Sequence, residues 1–469
     1  MTLKKSKTID SGSHATQAVL TLILIVTLGG CQRYQPLAYD LGQHLEEWRR
    51  LELENAFDNQ LTLALGQQPS AAPPSLSLSD GLSLTEAEWL MLYLNPELRV
   101  SRAEAGEALA SAREAGWLDD PELELGIARF NNDEDDPWEL ESSFGLTIPL
   151  SNRLSVEKQE AWAAFSAAQQ KTAVAEWEKL TQLRAVWIRW SNTRQRLEIT
   201  EQYLKNLEEL LLKAQRLAEV GELSATDARV FEIEQAERHA EFIHLQAQED
   251  ELKSEILQLT TTHPQRTITL VPEFPAPFMD NGQTSVTLVH PELLQLQAAY
   301  DAAEQQVLLE ITKQRPDMRL GPTLGRETGN MKLGANMALT LPLWNKNRQA
   351  IAEKLAVRER AHVMLMAGLE QLTHQLAQAQ RKLATGREHR RSLEEGLIPL
   401  TEHQLVETGK LLELGEVNVL LIQDAMGRSL QARLAALTAR SEEALVQNEL
   451  RRILAPAEWT TPPDRGEEK

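Results

Sequence analysis

The chain contains histidine, serine, cysteine and carboxylate residues, which are the types that catalyse reactions or bind metal ions. Their spacing in the sequence matches neither a catalytic motif nor a metal-binding motif. The ten histidines are scattered along the sequence. His239 and His244 are five residues apart, whereas two metal ligands on one helix face need a spacing of three or four. The sequence contains no glycine-rich phosphate loop and no Ser/His/Asp or Cys/His signature. It therefore predicts neither an enzyme nor a metal or cofactor site.

The only cysteine, Cys31, has a context that favours covalent modification. It follows a leucine and two glycines, which resembles the lipobox of bacterial lipoproteins, where the cysteine is acylated and becomes the mature N-terminus. Lysines and the 11-residue apolar run Ala18–Leu28 precede it, as in a secretory signal peptide. The alternative is an ordinary secretory signal with a chance cysteine. Because Gln32 rather than aspartate follows, the resemblance implies sorting to the outer membrane of a Gram-negative bacterium, with the protein lipid-anchored and extending into the periplasm.

The composition excludes several classes of protein. The 469 residues include 48 Lys and Arg against 69 Asp and Glu, a formal net charge of −21, which disfavours nucleic-acid binding. A single cysteine excludes a disulfide framework. Only one stretch is apolar enough to be considered for insertion into a membrane. This excludes a helical membrane protein with several transmembrane segments.

The chain contains one pattern twice, with an offset of 193 to 195 residues. The repeated markers, in order, are NPEL at 95–98 and HPEL at 290–293, PELELG at 121–126 and PDMRLG at 316–321, LTIPL at 146–150 and LTLPL at 339–343, and GEL at 221–223 and GEV at 415–417. Four markers in the same order at nearly one offset indicate a duplicated domain, since the period is too long for a solenoid.

Each copy is predicted to contain a first helical run, two strands and a pair of long helices. The helical runs are Leu84–Leu118, Arg153–Val220 and Leu223–Thr260 in the first copy, and Pro291–Lys313, Asn347–Leu414 and Val417–Leu454 in the second. The four long runs are rich in Ala, Leu, Glu, Gln and Arg, and their only internal proline is Pro399. A helix over the first long run would reach roughly 100 Å, which indicates coiled-coil elements rather than ordinary globular helices.

Four segments alternate apolar and polar residues with a period of two, which predicts β-strands. They are Leu123–Phe130, Trp138–Ile148, Met318–Gly325 and Lys332–Leu341. This alternation is typical of strands with lipid on one face and water on the other, and equally of a soluble, half-buried hairpin. Because four strands cannot close a barrel, the membrane interpretation requires several chains.

The duplication, the strand pattern and the lipobox together resemble the TolC family of outer-membrane efflux proteins. The resemblance covers about Leu82–Leu454, and AGWLDDPEL and LTLPLWNKNR resemble the heavy-metal branch. It implies a mainly α fold with a small β part, built from duplicated long coiled-coil hairpins and four transmembrane strands per chain. A homotrimer would then form a 12-stranded β-barrel with an α-helical periplasmic tunnel.

The resemblance also assigns roles to individual residues. The two inter-helix turns become docking tips for a periplasmic adaptor protein: Gly221, Leu223 and Ser224 in the first, Gly415, Val417 and Asn418 in the second. Glycine suits the reversal because it tolerates positive φ, and Ser224 or Asn418 can cap the outgoing helix. Turns without a partner are the alternative. Asp424 matches one of two aspartates that ring the closed pore in the family, although the second position is Leu421 here; a solvated helix carboxylate is the alternative.

The leading hypothesis is a passive export duct across periplasm and outer membrane, joined through the adaptor to an inner-membrane pump of the RND type and exporting metal cations or drugs. The alternatives are a lipid-anchored periplasmic coiled-coil scaffold and a periplasmic adaptor without its own pore. The expected organisation is a signal peptide (1–30), a lipidated segment and linker (31–82), the first repeat (83–262), an inter-repeat linker (263–289), the second repeat (290–456) and a disordered tail (457–469).

If Cys31 carries the lipid, Cys31→Ser should abolish incorporation of radioactive palmitate and leave the precursor uncleaved by the lipoprotein signal peptidase. The thioether to the diacylglycerol cannot form on a hydroxyl, so both effects should appear together. Immunoprecipitation after palmitate labelling measures them, and labelling that survives the substitution would reject the assignment.

Overall fold

The computed structural model describes residues 34–51, 78–129, 138–276, 285–327, 330–413 and 419–454. The signal peptide, Cys31, the C-terminal tail and the second predicted tip (Gly415, Val417 and Asn418) lie outside these ranges. The helices are α1 (Leu41–Arg50), α2 (Leu84–Leu94), α3 (Pro96–Arg113), α4 (Arg153–Glu219), α5 (Ala225–Leu259), α6 (Pro291–Thr312), α7 (Arg348–Arg391), α8 (Ile398–Glu413) and α9 (Val419–Leu454). The strands are β1 (Glu122–Arg129), β2 (Trp138–Pro149), β3 (Asp317–Glu327) and β4 (Asn330–Leu339).

The chain divides into two units, Met1–Leu51 with α1 and Glu52–Lys469 with every other element above. Helix α1 is capped by Asp40, whose carboxylate accepts the amide hydrogens of Gly42 and Gln43. Among the residues that the structure describes, no helix combines the length and the hydropathy that crossing a membrane would require.

The four predicted strands are confirmed, with ends within two residues of those expected from the alternation. They form one antiparallel sheet in the order β1-β2-β3-β4. The β2–β3 pair joins the two repeats, so the duplicated halves share one continuous sheet. The prediction of a mainly α fold with a small β part is therefore confirmed.

The long helices are confirmed as well. Helix α4 runs for 67 residues without proline or glycine and packs against α3, α5, α6 and α9. Its buried residues come from several sides of the helix, including Trp177, Trp187 and Ile188, because neighbours surround it. Packing, rather than intrinsic propensity, is what holds a helix of this length rigid.

Two predicted helices are interrupted, and proline explains both interruptions. The expected run Leu84–Leu118 breaks at Asn95, whose extended backbone (φ −57°, ψ 125°) is what a residue before proline prefers. The expected run Asn347–Leu414 contains a six-residue π-helical segment, Ser392–Leu397, just before Pro399. Proline has no amide hydrogen and its ring crowds the carbonyl four residues earlier, so the wider π turn accommodates it.

In each repeat, the N-cap residue of the helix before the strands also forms a hydrogen bond to the end of the repeat's last helix. Asn95 caps α3 through its Oδ1 and donates from Nδ2 to the carbonyl of Leu259, at 3.0 Å. In the second repeat, His290 caps α6 by accepting the Glu292 amide hydrogen at Nδ1, and its Nε2 lies 3.0 Å from the carbonyl of Arg452. In both repeats the N-cap side chain thus ties the helix before the strands, α3 or α6, to the C-terminal end of the repeat's last helix, α5 or α9.

The contacts of His290 in the second repeat are expected to make the stability of the fold depend on pH. The residue is fully buried, and burial lowers the pKa of its imidazole. Nδ1 accepts a hydrogen bond, so the neutral Nε2–H form fits the site, and a proton on Nδ1 would oppose the Glu292 amide hydrogen. The charged groups nearby are Glu292 and Arg452. Because the unfolded chain takes up this proton first, stability should fall as the pH drops below about 6.5 towards the lowered pKa.

The matched variant is His290→Asn, which installs the residue that the first repeat uses. Asparagine can cap α6 but does not titrate. We expect the Tm of wild type relative to that of the variant to be higher at pH 8 than at pH 5. Thermal unfolding followed by circular dichroism at both pH values measures this. A difference that does not change with pH would contradict the assigned role of the imidazole.

Candidate functional site

The first hairpin tip is a well-defined helix reversal. Gly221 has a φ of 79°, the left-handed conformation that terminates helices. The Glu222 amide donates to the Leu217 carbonyl at 2.9 Å, and the Gly221 amide donates to the Ala218 carbonyl at 3.2 Å. These two bonds define a Schellman motif, so the predicted glycine reversal is confirmed at this tip.

The outgoing helix is capped as the sequence predicts. The Ser224 hydroxyl accepts the Asp227 amide hydrogen at 3.1 Å and donates to the Asp227 carboxylate at 2.7 Å. Leu223 is partly buried and packs against the apolar cluster beneath the tip. Val220, Gly221, Glu222 and Ser224 are exposed. The tip therefore presents polar and small residues together with the apolar side chain of Val220.

The apolar cluster beneath the tip joins both hairpins. It contains Tyr203, Leu207, Leu211 and Ala214 of α4, Ala228 and Phe231 of α5, and Val419, Ile422, Met426 and Leu430 of α9. The beginning of α9 therefore packs beside the first tip. The residues of the second tip immediately precede this point in the chain.

Asp424 lies on the exposed side of α9, opposite the buried stripe. Its carboxylate forms an ion pair with Arg428 one turn later, at 2.8 Å, and both side chains are about half exposed. Leu421 is also exposed. The sequence reasoning did not consider Arg428, although its i,i+4 spacing from Asp424 was a readable signal. An exposed ion pair of this kind adds little to stability.

A polar network beside Asp424 connects three helices. The Glu234 carboxylate of α5 accepts hydrogen bonds from the Tyr203 hydroxyl (3.2 Å), from Nε of Arg238 (2.9 Å) and from Nε2 of Gln423 (3.4 Å). Burial, together with the Glu234 carboxylate, raises the pKa of the Tyr203 hydroxyl above its ordinary value, so the hydroxyl remains a donor into alkaline pH. The sequence reasoning missed this network because its members are far apart in the chain.

The two faces of the sheet differ in chemistry, since one carries mostly polar and charged side chains and the other mostly apolar ones. The register places the residues of the polar face opposite one another, for example Glu124 with Ser143 and Thr147 with Arg319. Arg319 reaches across Gly145 to Glu124 and Glu122, at 2.8 and 3.2 Å. A Cβ at Gly145 would collide with the guanidinium, so any other residue there would require the Arg319 side chain to move.

The opposite face is apolar and uncovered. Eleven of its large apolar side chains are exposed, from 43% for Leu339 to 81% for Leu333. They are Leu123, Leu125, Ile127, Trp138, Leu140, Phe144, Leu324, Met331, Leu333, Met337 and Leu339. A surface of this kind marks contact with lipid or with another protein. The soluble hairpin alternative requires one covered face, which the described part of the chain does not provide.

No group of three or more potential metal ligands occurs among the residues that the structure describes. The structure brings together near the first tip a helix reversal, an apolar cluster and the Asp424–Arg428 ion pair.

The tip geometry can be tested with a matched pair of variants. Gly221→Val should destabilise the reversal by about 1–2 kcal/mol, because a β-branched residue resists positive φ although the space around Gly221 is open. Gly221→Asn should cost less, since asparagine tolerates this conformation. Hydrogen exchange of the Gly221 and Glu222 amides measures the effect. Equal protection in both variants would contradict the left-handed assignment.

Several solved structures have the same fold. The outer membrane protein VceC of Vibrio cholerae superposes with a TM-score of 0.66 and 16% identity over 79% of this chain and 95% of that one. The CmeC outer membrane channel of Campylobacter jejuni gives 0.66 and 12% over 90% and 93%. The MtrE outer membrane channel of Neisseria gonorrhoeae, in its open state, gives 0.66 and 15% over 82% and 94%.

No family model matches the sequence, and no curated protein matches it. The likeness therefore resides in the three-dimensional structure, and it extends over nearly the whole length of the solved chains. The chain has the fold of the outer-membrane channels, and the resemblance to the TolC family that its residues indicate is confirmed at the level of the fold.

Proposed function

We propose that this protein is the outer-membrane channel component of a tripartite efflux system. In this role it is a passive duct, coupled through a periplasmic adaptor to an inner-membrane pump of the RND type. The fold shared with outer-membrane channels supports the channel role. Metal cations or drugs are the proposed cargo, and the duct needs no catalytic residue.

The single observation that carries this proposal is the uncovered apolar face of the sheet. In water, so large an exposed apolar surface would be unfavourable and would promote aggregation. Hydrocarbon covers it without cost, while the polar face lines an aqueous lumen. This is why we favour the channel over a lipid-anchored periplasmic scaffold, which would leave the face in water.

The sheet edges support a trimer. Strands β1 and β4 each pair on one side only within the described sheet, and open edges are not tolerated in lipid. Pairing of β4 with β1 of the next chain would satisfy both edges. Three chains of four strands would then close a 12-stranded barrel, which is within the size range of outer-membrane barrels.

The helical end supplies the periplasmic functions in this proposal. The tip residues Gly221, Leu223 and Ser224 dock the adaptor, together with Gly415, Val417 and Asn418 of the second tip. Asp424 forms the pore constriction. It lies near the first tip, on α9, whose buried side joins the apolar cluster. Acylated Cys31 anchors the chain in the outer membrane, where two or three acyl chains give stable attachment.

The face assignment is tested with single added cysteines, because Cys31 is the only native cysteine and in this proposal its thiol is acylated. In the reconstituted protein, a cysteine replacing Met337 should react with a lipid-soluble maleimide, and one replacing neighbouring Asn336 should react with a water-soluble maleimide. The two positions differ only in the face of β4 that they occupy. Planar-bilayer conductance of the same preparations tests the channel itself. Equal labelling of both positions by the water-soluble reagent, without conductance, would favour the scaffold.

The constriction is tested with opposite charge changes on one ion pair. If Asp424 narrows and charges the pore, Asp424→Asn should lower the cation selectivity of single channels, and Arg428→Gln should raise it, because three copies of each charge line the mouth. Reversal potentials in a salt gradient measure selectivity, and trimer yield is the control. Unchanged selectivity in both variants would make Asp424 an ordinary surface carboxylate.

A further inference from the structure

Helix α1 carries an apolar stripe along one side. Leu41, Leu45 and Trp48 follow one another at spacings of four and three residues, which places their side chains on the same side of the helix. Leu41 is 74% exposed and Leu45 is 41% exposed, and none of the ten residues of α1 is buried. The two leucines are therefore apolar surface that the described part of the chain leaves largely open.

The other side of α1 is polar and forms hydrogen bonds within the helix. Nε2 of Gln43 donates to the Glu47 carboxylate and Nη1 of Arg49 donates to the Glu46 carboxylate, both at 2.8 Å. Side-chain pairs of this kind stabilise an isolated helix only weakly. A helix of ten residues is marginal in water unless its apolar side packs against another surface. The stripe therefore requires a covering surface from outside the helix.

The segment before α1 is apolar and aromatic as well. Tyr34, Leu37 and Tyr39 are all exposed. Tyrosine and tryptophan favour the boundary between hydrocarbon and water, because their rings are apolar and their polar groups reach water. Aromatic residues beside a leucine stripe are typical of a segment that lies at a membrane surface.

The length of chain before α1 brings a membrane surface within reach. Leu41 follows Cys31 by ten residues. At about 3.5 Å per residue, this tether spans roughly 35 Å at most. In the proposed function Cys31 is acylated, so α1 stays close to the periplasmic surface of the outer membrane. A short tether raises the effective concentration to the order of millimolar, so that even a helix with low intrinsic affinity associates with that surface.

We propose that α1 is an interfacial helix that lies along the periplasmic surface of the outer membrane. This inference rests on the proposed function, in which Cys31 carries acyl chains. Leu41, Leu45 and Trp48 enter the boundary between head groups and acyl chains, to a depth of about 5–10 Å. The two arginines at the C-terminal end of α1 extend along this boundary and keep their guanidinium groups at the lipid phosphates. Helix α1 is then a second attachment beside the acyl chains, and it orients the chain where it leaves the membrane.

The test uses the full-length protein reconstituted in vesicles of phosphatidylethanolamine and phosphatidylglycerol. A single added cysteine carries a bimane fluorophore, either at Leu45 on the stripe or at Glu47 on the opposite side of α1. Nitroxide groups on the acyl chains quench bimane in the membrane, and iodide quenches bimane in water. Nitroxide should quench Leu45→Cys about twofold or more strongly than Glu47→Cys, and iodide should show the opposite order, because the two sides of the helix differ in depth.

A matched pair of charge variants tests the stripe itself. In the Leu45→Cys protein, Leu41→Glu should lower nitroxide quenching to the level of Glu47→Cys, because a carboxylate on the stripe opposes entry into hydrocarbon. Gln43→Glu adds the same charge on the polar side of α1 and should leave the quenching unchanged. An equal loss in both variants would contradict the assignment of the stripe.

Two further results would overturn the inference. Equal iodide quenching at both labelled positions would place the stripe in water, and protection of Leu45→Cys from both quenchers would show that a protein surface covers it. Palmitate labelling and single-channel conductance of the same preparations separate these results from failure of the proposed function. Acylated, conducting protein with either result rejects the interfacial helix alone, whereas protein without acyl chains rejects the anchor and, with it, the tether on which the helix depends.

Discussion

The structure depends on a four-stranded sheet whose two faces require different surroundings. One face is charged and the other is apolar, and neither is covered by the helices of the described chain. Antiparallel sheets in soluble proteins usually pack one face on a core. Here the core lies in the helical part, and the described residues leave the sheet's apolar face uncovered. In the proposed function, lipid would cover this face and the next chain of a trimer would pair with the open edges.

The helices serve a different physical purpose. They bury apolar residues on several sides and are long enough to extend roughly 100 Å from the sheet. The closure of each repeat by Asn95 or His290 lies partway along the long helices and not at the sheet. The Arg452 carbonyl that faces His290 also accepts a hydrogen bond from Trp177, which follows the start of α4 at Arg153 by 24 residues. The apolar cluster around Phe231 and Met426 joins the helices near the first tip. Contacts at these two levels hold the helices together along their length.

The two repeats are equivalent in plan but not in local chemistry. The first long helix is continuous, whereas the second changes to a π-helical segment before Pro399. Glu443, which is almost fully buried, pairs with Arg390 (2.6 Å) and Arg387 (3.3 Å) just before this segment. Burial alone would raise the pKa of Glu443, but the hydrogen bonds and charge of the arginines outweigh it and lower the pKa. The ionised carboxylate thus holds α7 to α9 where the helix geometry changes.

The sequence by itself predicted the strands, the long helices and the duplication. Period-two alternation marks strands directly, and long helices follow from helix-favouring residues with little proline, so these features are local and readable. The interruptions before Pro96 and Pro399 were not predicted, although each proline is a local signal for one. Gly221 and Ser224 were readable for the same reason, since a helix reversal and its cap depend on neighbouring residues. The sequence did not distinguish a soluble hairpin from an exposed sheet, because both alternate identically. Only the tertiary structure decided this, by leaving the apolar face uncovered. It also decided the contacts between distant residues, such as Arg319 with Glu124 and Glu234 with Gln423. Those depend on strand register and helix packing, which bring together residues separated by nearly 200 positions.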